Sequence, residues 1–174
     1  MLHSVRARRS VVSTTVATIA VTAWLALAGI PAAHAQSPNT KALVGSWVET
    51  VTFPPEVGRP PLKSLGTFHA DGTMVCSDQG AVTTIGPQAG VFTSCHGVWT
   101  HVRHRTFAYS SIELISDLSG TLVGYLKVTG EYTVADSGTE YTGASLARVV
   151  AVDGTVLFES TVTNAGERIQ LELP

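Results

Sequence analysis

Few ionisable side chains fall where a strand pattern could bring them into an apolar interior, and Glu113 is the main candidate. It lies in the run TFAYSSIELIS, in which Phe107, Tyr109, Ser111 and Glu113 share one strand face. A carboxyl group among aromatic side chains has a raised pKa and could act as a general acid or base. The opposite strand register buries the even-numbered residues of this run and places Glu113 in water. We take this second register as the default and keep Glu113 as a catalytic candidate.

Three histidines near one predicted hairpin raise the question of a metal site. His96 is followed by His101 and His104, which lie three residues apart. Zinc needs three or four ligands that converge on one point, and a strand end followed by a hairpin rarely supplies them. Arg103 and Arg105 would also repel a cation. We therefore predict solvated turn histidines, no metal and no cofactor.

No sequence motif supports a hydrolase, a nucleotide-binding protein or a glycosidase. The chain contains no G-x-S-x-G turn, no phosphate-binding loop and no acid pair at a defined spacing. Any chemistry must therefore come from the way in which the fold assembles isolated side chains.

The first 35 residues have the organisation of a cleavable signal peptide. Three arginines precede residue 10, an apolar run covers 11–30, and Ala33-His34-Ala35 forms an A-x-A cleavage site. The stretch ARRSVVS leaves both a Sec and a Tat signal open. We predict a secreted or periplasmic protein in which 1–35 is the signal peptide and 36–174 is the folded domain. No membrane anchor is expected after cleavage.

Charge and cysteine content narrow the function of the exported domain. Removing 35 of 174 residues takes away three arginines and no acid, so eight basic residues face thirteen acidic ones. An acidic domain without a basic cluster is a poor candidate for nucleic-acid binding. An oxidising compartment favours a disulfide between Cys76 and Cys95, which would close the longest loop and contribute about 3 kcal/mol. Two free buried thiols are the alternative.

Hydrophobic residues alternate with a period of two along 36–174, which predicts an all-β domain. Turn signals such as Asp136-Ser137-Gly138 separate eight predicted strands. These strands cover 45–53, 63–70, 73–79, 93–101, 105–116, 121–134, 139–151 and 155–170. Tight hairpins make neighbours in sequence neighbours in the sheet, so we predict an eight-stranded antiparallel up-and-down barrel. A sandwich with longer crossovers is the alternative.

The inner face of the last three predicted strands carries many small residues, among them Gly124, Gly130 and Ala147. An eight-stranded barrel whose inner side chains are small can hold one small ligand. Alternatively, the glycines serve only strand coiling. We predict a ligand-binding interior formed by Tyr109, Leu126, Val128, Tyr132, Tyr141, Gly143, Ser145, Phe158 and Ser160.

The stretch Gly45-Ser46-Trp47 at the head of the first strand resembles the lipocalins and the wider calycin group. In that family a first-strand tryptophan closes one barrel end and an arginine near the last strand packs across it. The resemblance assigns these structural roles to Trp47 and to Arg168 of Gly166-Glu167-Arg168-Ile169. A guanidinium over an indole gains cation–π attraction.

Function follows from the predicted barrel and from this resemblance. We expect an exported barrel that binds a small, largely apolar molecule. The hydrophobic pattern of the sequence does not contain the helix that typical lipocalins carry beside the barrel. The chain therefore also resembles the allene-oxide-cyclase-like barrels. That similarity implies the alternative of a cyclase or isomerase that acts on a small apolar substrate. A third class is a structural barrel with a filled interior. The sequence does not define an oligomeric state.

Overall fold

Ten antiparallel strands make up most of the chain that the structure describes. This computed structural model describes residues 38–80, 82–85 and 88–172, so the predicted signal peptide lies outside the described residues. Two short 3-10 helices, Pro38–Lys41 and Pro55–Val57, accompany the strands. No helix in the described ranges is long and apolar enough to cross a membrane. The strands are β1 Gly45–Thr52, β2 Leu62–Phe68, β3 Thr73–Asp78, β4 Val82–Ile85, β5 Gln88–Phe92, β6 Cys95–Arg103, β7 Thr106–Ser116, β8 Leu122–Val134, β9 Glu140–Ala151 and β10 Val156–Arg168.

Eight of these strands form a closed antiparallel barrel. Each pairs with the next barrel strand in the order β1, β2, β3, β6, β7, β8, β9 and β10. The last strand then pairs with the first, so that Arg168 lies opposite Trp47 and Thr163 opposite Thr52. Closure leaves the barrel without an open edge. The predicted eight-stranded barrel is confirmed, and the sandwich alternative is wrong.

The segment between the two cysteines differs from its prediction as a loop. It contains the β4–β5 hairpin, and β5 pairs with the end of β7 through Val91 with Ser116 and Phe92 with Ile115. At the base of this insertion, Cys76 and Cys95 lie opposite each other on β3 and β6 and form the predicted disulfide. The crosslink holds together the two barrel strands that the insertion separates in sequence.

Aspartate side chains close the tight turns between strands. Asp71 Oδ1 accepts hydrogen bonds from the backbone N–H of Thr73 at 2.9 Å and from its hydroxyl at 2.7 Å. Asp153 accepts from the backbone N–H of Thr155 in the same way, at 2.9 Å. Such local bonds fix a turn of defined length, and the turn length in turn fixes the strand register.

Aromatic side chains fill the end of the barrel where β1 begins. Trp47 is fully buried, and its indole Nε1–H donates to the carbonyl oxygen of Leu43 at 2.9 Å. Its ring centroid lies 4.9 Å from that of Tyr141, which lies 4.5 Å from that of Tyr132. Phe68 contacts Tyr132 edge to face at 5.9 Å. We call this end, built around Trp47, Tyr132 and Tyr141, the closed end.

Arg168 covers the closed end from outside. Its guanidinium carbon lies 4.2 Å from the centroid of the Trp47 ring. The same group donates to the carbonyl oxygens of Gly138 at 2.7 Å, Val44 at 2.6 Å and Ala42 at 2.5 Å. A planar cation with several donors suits this position, because it can stack on the indole while it satisfies three backbone carbonyls.

Candidate functional site

The other half of the barrel encloses a cavity of about 750 Å³. This volume lies within the range of small-molecule sites in proteins. Most of the wall is apolar, and a smaller set of polar and charged side chains interrupts it. The apolar wall includes Val51, Phe53, Leu62, Leu126, Val149 and Phe158.

Glycines explain why the closed end is filled while the other end is hollow. A Cβ atom at Gly166 would lie 2.2 Å from the Tyr141 ring, and one at Gly143 would lie 2.7 Å from the Tyr132 ring and 2.2 Å from the Glu131 carbonyl oxygen. The space that these glycines leave is therefore occupied by tyrosine rings. Gly143 was one of the small inner residues that predicted a cavity, but it accommodates the aromatic cluster instead.

The nine predicted ligand-binding residues divide between the cavity and the packed part of the barrel. Five line the cavity, namely Tyr109, Leu126, Val128, Tyr132 and Phe158. The other four, Tyr141, Gly143, Ser145 and Ser160, do not line the cavity that the structure describes.

Each of these four has a packing role instead. Tyr141 and Gly143 belong to the closed end, as described above. Ser145 is hydrogen-bonded behind the wall, and the buried Ser160 donates to the carbonyl oxygen of Thr161 at 3.3 Å.

Glu113 points into the cavity, which corrects the default register. Its side chain is only 5% exposed, whereas its neighbours Ile112 and Leu114 are 39% and 45% exposed. The face that carries Phe107 and Tyr109 is therefore the inner one. This register follows from the pairing of β7 with β8, which places Glu113 opposite Leu126.

A chain of hydrogen bonds crosses the floor of the cavity between β7 and β1. Tyr109 Oη lies 2.5 Å from Ser145 Oγ, which donates to Asn164 Oδ1 at 2.7 Å. Asn164 Nδ2 then donates to Glu49 Oε1 at 2.5 Å. Since the single Ser145 proton goes to Asn164, Tyr109 must be the donor to Ser145. All donors thus point toward the buried carboxyl of Glu49.

Sequence reasoning missed Glu49 and Asn164, although a signal for both was available. Trp47 faces inward, and the period of two puts Glu49 and Val51 on the same face of β1. The predicted inward face of β10 continues from Val162 to Asn164 in the same way. Both side chains are buried, with exposures of 7% and 6%.

Burial perturbs the carboxyl groups of Glu49 and Glu113, two of the three acids that line the cavity. Loss of hydration raises the pKa of Glu49 to about 7, against the opposing effect of the Asn164 hydrogen bond. The same loss of hydration, with a smaller contribution from Asp78, raises the pKa of Glu113 to about 8. The Tyr109 hydroxyl is raised to a pKa of about 12, again mainly by burial. Near neutral pH the two glutamates are therefore able to take up or release protons.

Charged residues of both signs surround the mouth of the cavity. Asp78 lines this region with an exposed side chain, and partial loss of hydration there raises its pKa while Arg59 opposes the rise. The Arg59 guanidinium lies 4.7 Å from the centroid of the Phe53 ring. Among the lining residues that the structure describes, Arg59 is the one basic side chain.

The histidines lie away from the cavity. His96 and His104 are exposed, and His101 Nε2 lies 2.8 Å from the backbone carbonyl oxygen of His104, to which it can donate. The His101 ring also contacts Phe107 edge to face at 5.4 Å. Within the described residues, no group of three potential ligands converges on a metal position.

Comparisons with known proteins leave the family of this chain open. No protein-family model matches the sequence, and no curated protein matches it. A solved structure of a redesigned β-barrel is similar, with 20% identity over 75% of this chain and 94% of that chain and a TM-score of 0.43.

Proposed function

We propose that this protein is an exported carrier that binds one small, largely apolar molecule inside its barrel. The single observation that carries the proposal is the cavity of about 750 Å³, whose wall is mostly aliphatic and aromatic. Transfer of an apolar molecule from water to such a wall is favourable in proportion to the area that it buries. The proposed location is the periplasm or the medium, reached through the signal peptide of residues 1–35.

A lipocalin-like or calycin-type ancestry is part of the same proposal. Its support is the contact of Arg168 with Trp47, since the guanidinium lies 4.2 Å from the ring centroid. The closed end and the cup-shaped cavity above it agree with that family's use of a barrel as a container. No partner protein and no nucleic acid enter the proposal.

Binding of a neutral apolar probe tests the proposal. N-phenyl-1-naphthylamine should show saturable fluorescence enhancement with the purified, disulfide-bonded protein, at about one probe per chain. Ala147→Trp places a large ring in the cavity that Ala147 lines and should weaken probe binding at least tenfold. Ala144→Trp is the matched control, because Ala144 is exposed on the outer face of the same strand. A parent protein without saturable binding, or an Ala147→Trp variant that binds like the parent, would refute the proposal.

An enzyme is the second candidate, and the position of Glu113 favours it. A buried carboxyl with a pKa of about 8, next to an apolar cavity, has the properties of a general acid or base. The activity would be a cyclisation or isomerisation of a small apolar substrate, as in the allene-oxide-cyclase-like barrels. Glu113 would then move a proton to or from the substrate.

Mass spectrometry of molecules that co-purify with the protein separates the two candidates. A carrier releases the same molecule that it took up. An enzyme converts that molecule to an isomer during incubation, and Glu113→Gln should slow the conversion at least a hundredfold. Conversion at the parent rate by Glu113→Gln would remove Glu113 from the mechanism.

A further inference from the structure

The ionisable groups on the cavity wall indicate the chemical class of the ligand, which the volume of the cavity alone does not. We propose that the bound molecule is a hydrophobic amine whose protonated nitrogen forms an ion pair with Glu113 while its apolar body covers the remaining wall. This inference rests on the proposed binding function and adds the chemical class of the ligand.

Glu113 is a buried acid without a partner. Its side chain is 95% buried and lines the cavity, and no described residue donates a hydrogen bond to it. An ionised carboxyl group on a mostly apolar wall, with neither a hydrogen-bond donor nor a counter-charge from the protein, is poorly stabilised. A ligand that carries a cation into the cavity would supply the missing partner.

The other two acids on the wall are already engaged. Glu49 accepts a hydrogen bond from Asn164 at 2.5 Å. Asp78 stands at the exposed mouth, where Arg59 acts on it electrostatically. Glu113 is therefore the position at which a ligand cation gains most.

The sign of the charges opposes an acidic ligand. Three acids, Glu49, Asp78 and Glu113, line the cavity, whereas the basic Arg59 is exposed. In their ionised forms these acids repel a carboxylate inside the cavity and attract an ammonium group. The complementary head group is thus positive.

The wall beside Glu113 suits an apolar body. Leu126 lies directly opposite Glu113 across the β7–β8 pair, and Val149 lies opposite Leu126 across the β8–β9 pair. Both line the cavity. An amine anchored at Glu113 can therefore extend its hydrocarbon part along this wall without leaving the barrel.

Three probes with the same ten-carbon chain test the proposal by calorimetry. Decylamine should bind at least tenfold more tightly than decan-1-ol, and decanoate should bind most weakly. Glu113→Gln should weaken decylamine binding at least tenfold and leave decan-1-ol binding within about twofold. Glu131→Gln, an exposed acid on the outer face of β8, is the matched control and should bind all three probes like the parent.

Proton release gives a second readout of the same contact. The titratable and charged groups that line the cavity together with Glu113 are Asp78, Glu49, Tyr109, Tyr132 and Arg59. Of these, Asp78 acts on the pKa of Glu113. Because burial raises the pKa of Glu113 to about 8, most of this group is protonated at pH 7 in the empty cavity. An incoming ammonium ionises it, and the carboxyl proton passes to the buffer. Calorimetry in two buffers should detect this release with decylamine and none with decan-1-ol or with Glu113→Gln.

The results with the three probes distinguish the amine assignment from the proposed carrier function on which it rests. Decan-1-ol binding without an amine preference, or an amine preference that survives in Glu113→Gln, would refute the amine assignment and leave the carrier proposal standing. Failure of all three probes to bind would refute both. Retained decan-1-ol binding by Glu113→Gln shows that this variant is folded, so a loss of amine binding cannot come from unfolding.

Discussion

Individual side chains in this barrel take their roles from the direction in which they point. Glu113 and Glu131 are both glutamates within β-strands, but one is 95% buried and the other is exposed. Burial raises the pKa of Glu113. Orientation on the strand, rather than residue type, decides which acid can take part in binding or chemistry.

The burial of Glu113 predicts a pH-dependent stability. Since the folded pKa of about 8 lies above the ordinary glutamate value of 4.5, the folded state holds more protons than the unfolded state between these two pH values. The free energy of unfolding should therefore fall as pH rises from about 4.5 to 8. Glu113→Gln should be more stable than the parent at pH 8.5, by a few kcal/mol, and equal to it near pH 4. Glu49, whose pKa is about 7, also lowers the free energy of unfolding as pH rises. Part of the pH dependence should therefore remain in Glu113→Gln.

Urea unfolding at several pH values measures this slope. Glu131→Gln serves as the control and should follow the parent at every pH. A Glu113→Gln variant that is no more stable than the parent at pH 8.5 would contradict the assigned burial of this group.

Trp47 gives a second prediction at the level of one residue. Trp47→Ala removes a fully buried indole, its hydrogen bond to Leu43 and the surface on which Arg168 stacks. The free energy of unfolding should fall by about 3–5 kcal/mol. Val98→Ala, at a side chain that is 60% exposed, should change it by less than about 0.5 kcal/mol. A Trp47→Ala protein within about 1 kcal/mol of the parent would show that Trp47 does not hold the closed end together.

At the level of strands, the sequence predicted the eight barrel strands to within two residues at each end. Strict alternation and strong turn signals such as Asp153-Gly154 made this possible, because both act locally. The β4–β5 hairpin was missed because its strands are only four and five residues long. Its pairing with β7 depends on residues distant in sequence, such as Phe92 and Ile115.

The position of the cavity was harder to predict than the barrel. Small residues indicated empty space, but the sequence does not say which large side chain turns into that space. Tyr141 and Tyr132 turn toward Gly166 and Gly143 at one end. The packing of these rings therefore decides which end of the barrel stays hollow. Because this packing depends on several strands at once, local sequence patterns do not predict it.

This packing predicts that alanine substitution lowers stability at one glycine and is tolerated at another. Gly143→Ala brings a methyl group against the Glu131 carbonyl oxygen and the Tyr132 ring, and should destabilise the protein by about 1–3 kcal/mol. Gly66→Ala, on the cavity wall, meets the Phe68 ring at an ordinary 3.5 Å and should be tolerated. Thermal melts of the two variants give the comparison. Equal melting temperatures would contradict the assignment of Gly143 to the packed end.

For the whole molecule, the disulfide and the predicted signal peptide lead to one prediction about the exported chain. The sequence PAAHAQS predicts cleavage after Ala35, and Cys76 is bonded to Cys95. Intact-mass analysis of exported protein should give a chain that begins at Gln36 and lacks two hydrogens relative to its reduced form. A secreted chain that retains Met1 would contradict the cleavage site, and two alkylatable thiols in the denatured, unreduced protein would contradict the bridge.

In the proposed carrier, the filled end around Trp47 would also govern the kinetics of ligand exchange. A cup with one opening, unlike a tunnel, does not let a second molecule enter behind the first and push it out. The occupant must leave before its replacement enters, so the two events are strictly sequential. In a chase experiment, the release rate of a bound fluorophore should therefore stay constant however much competitor is added.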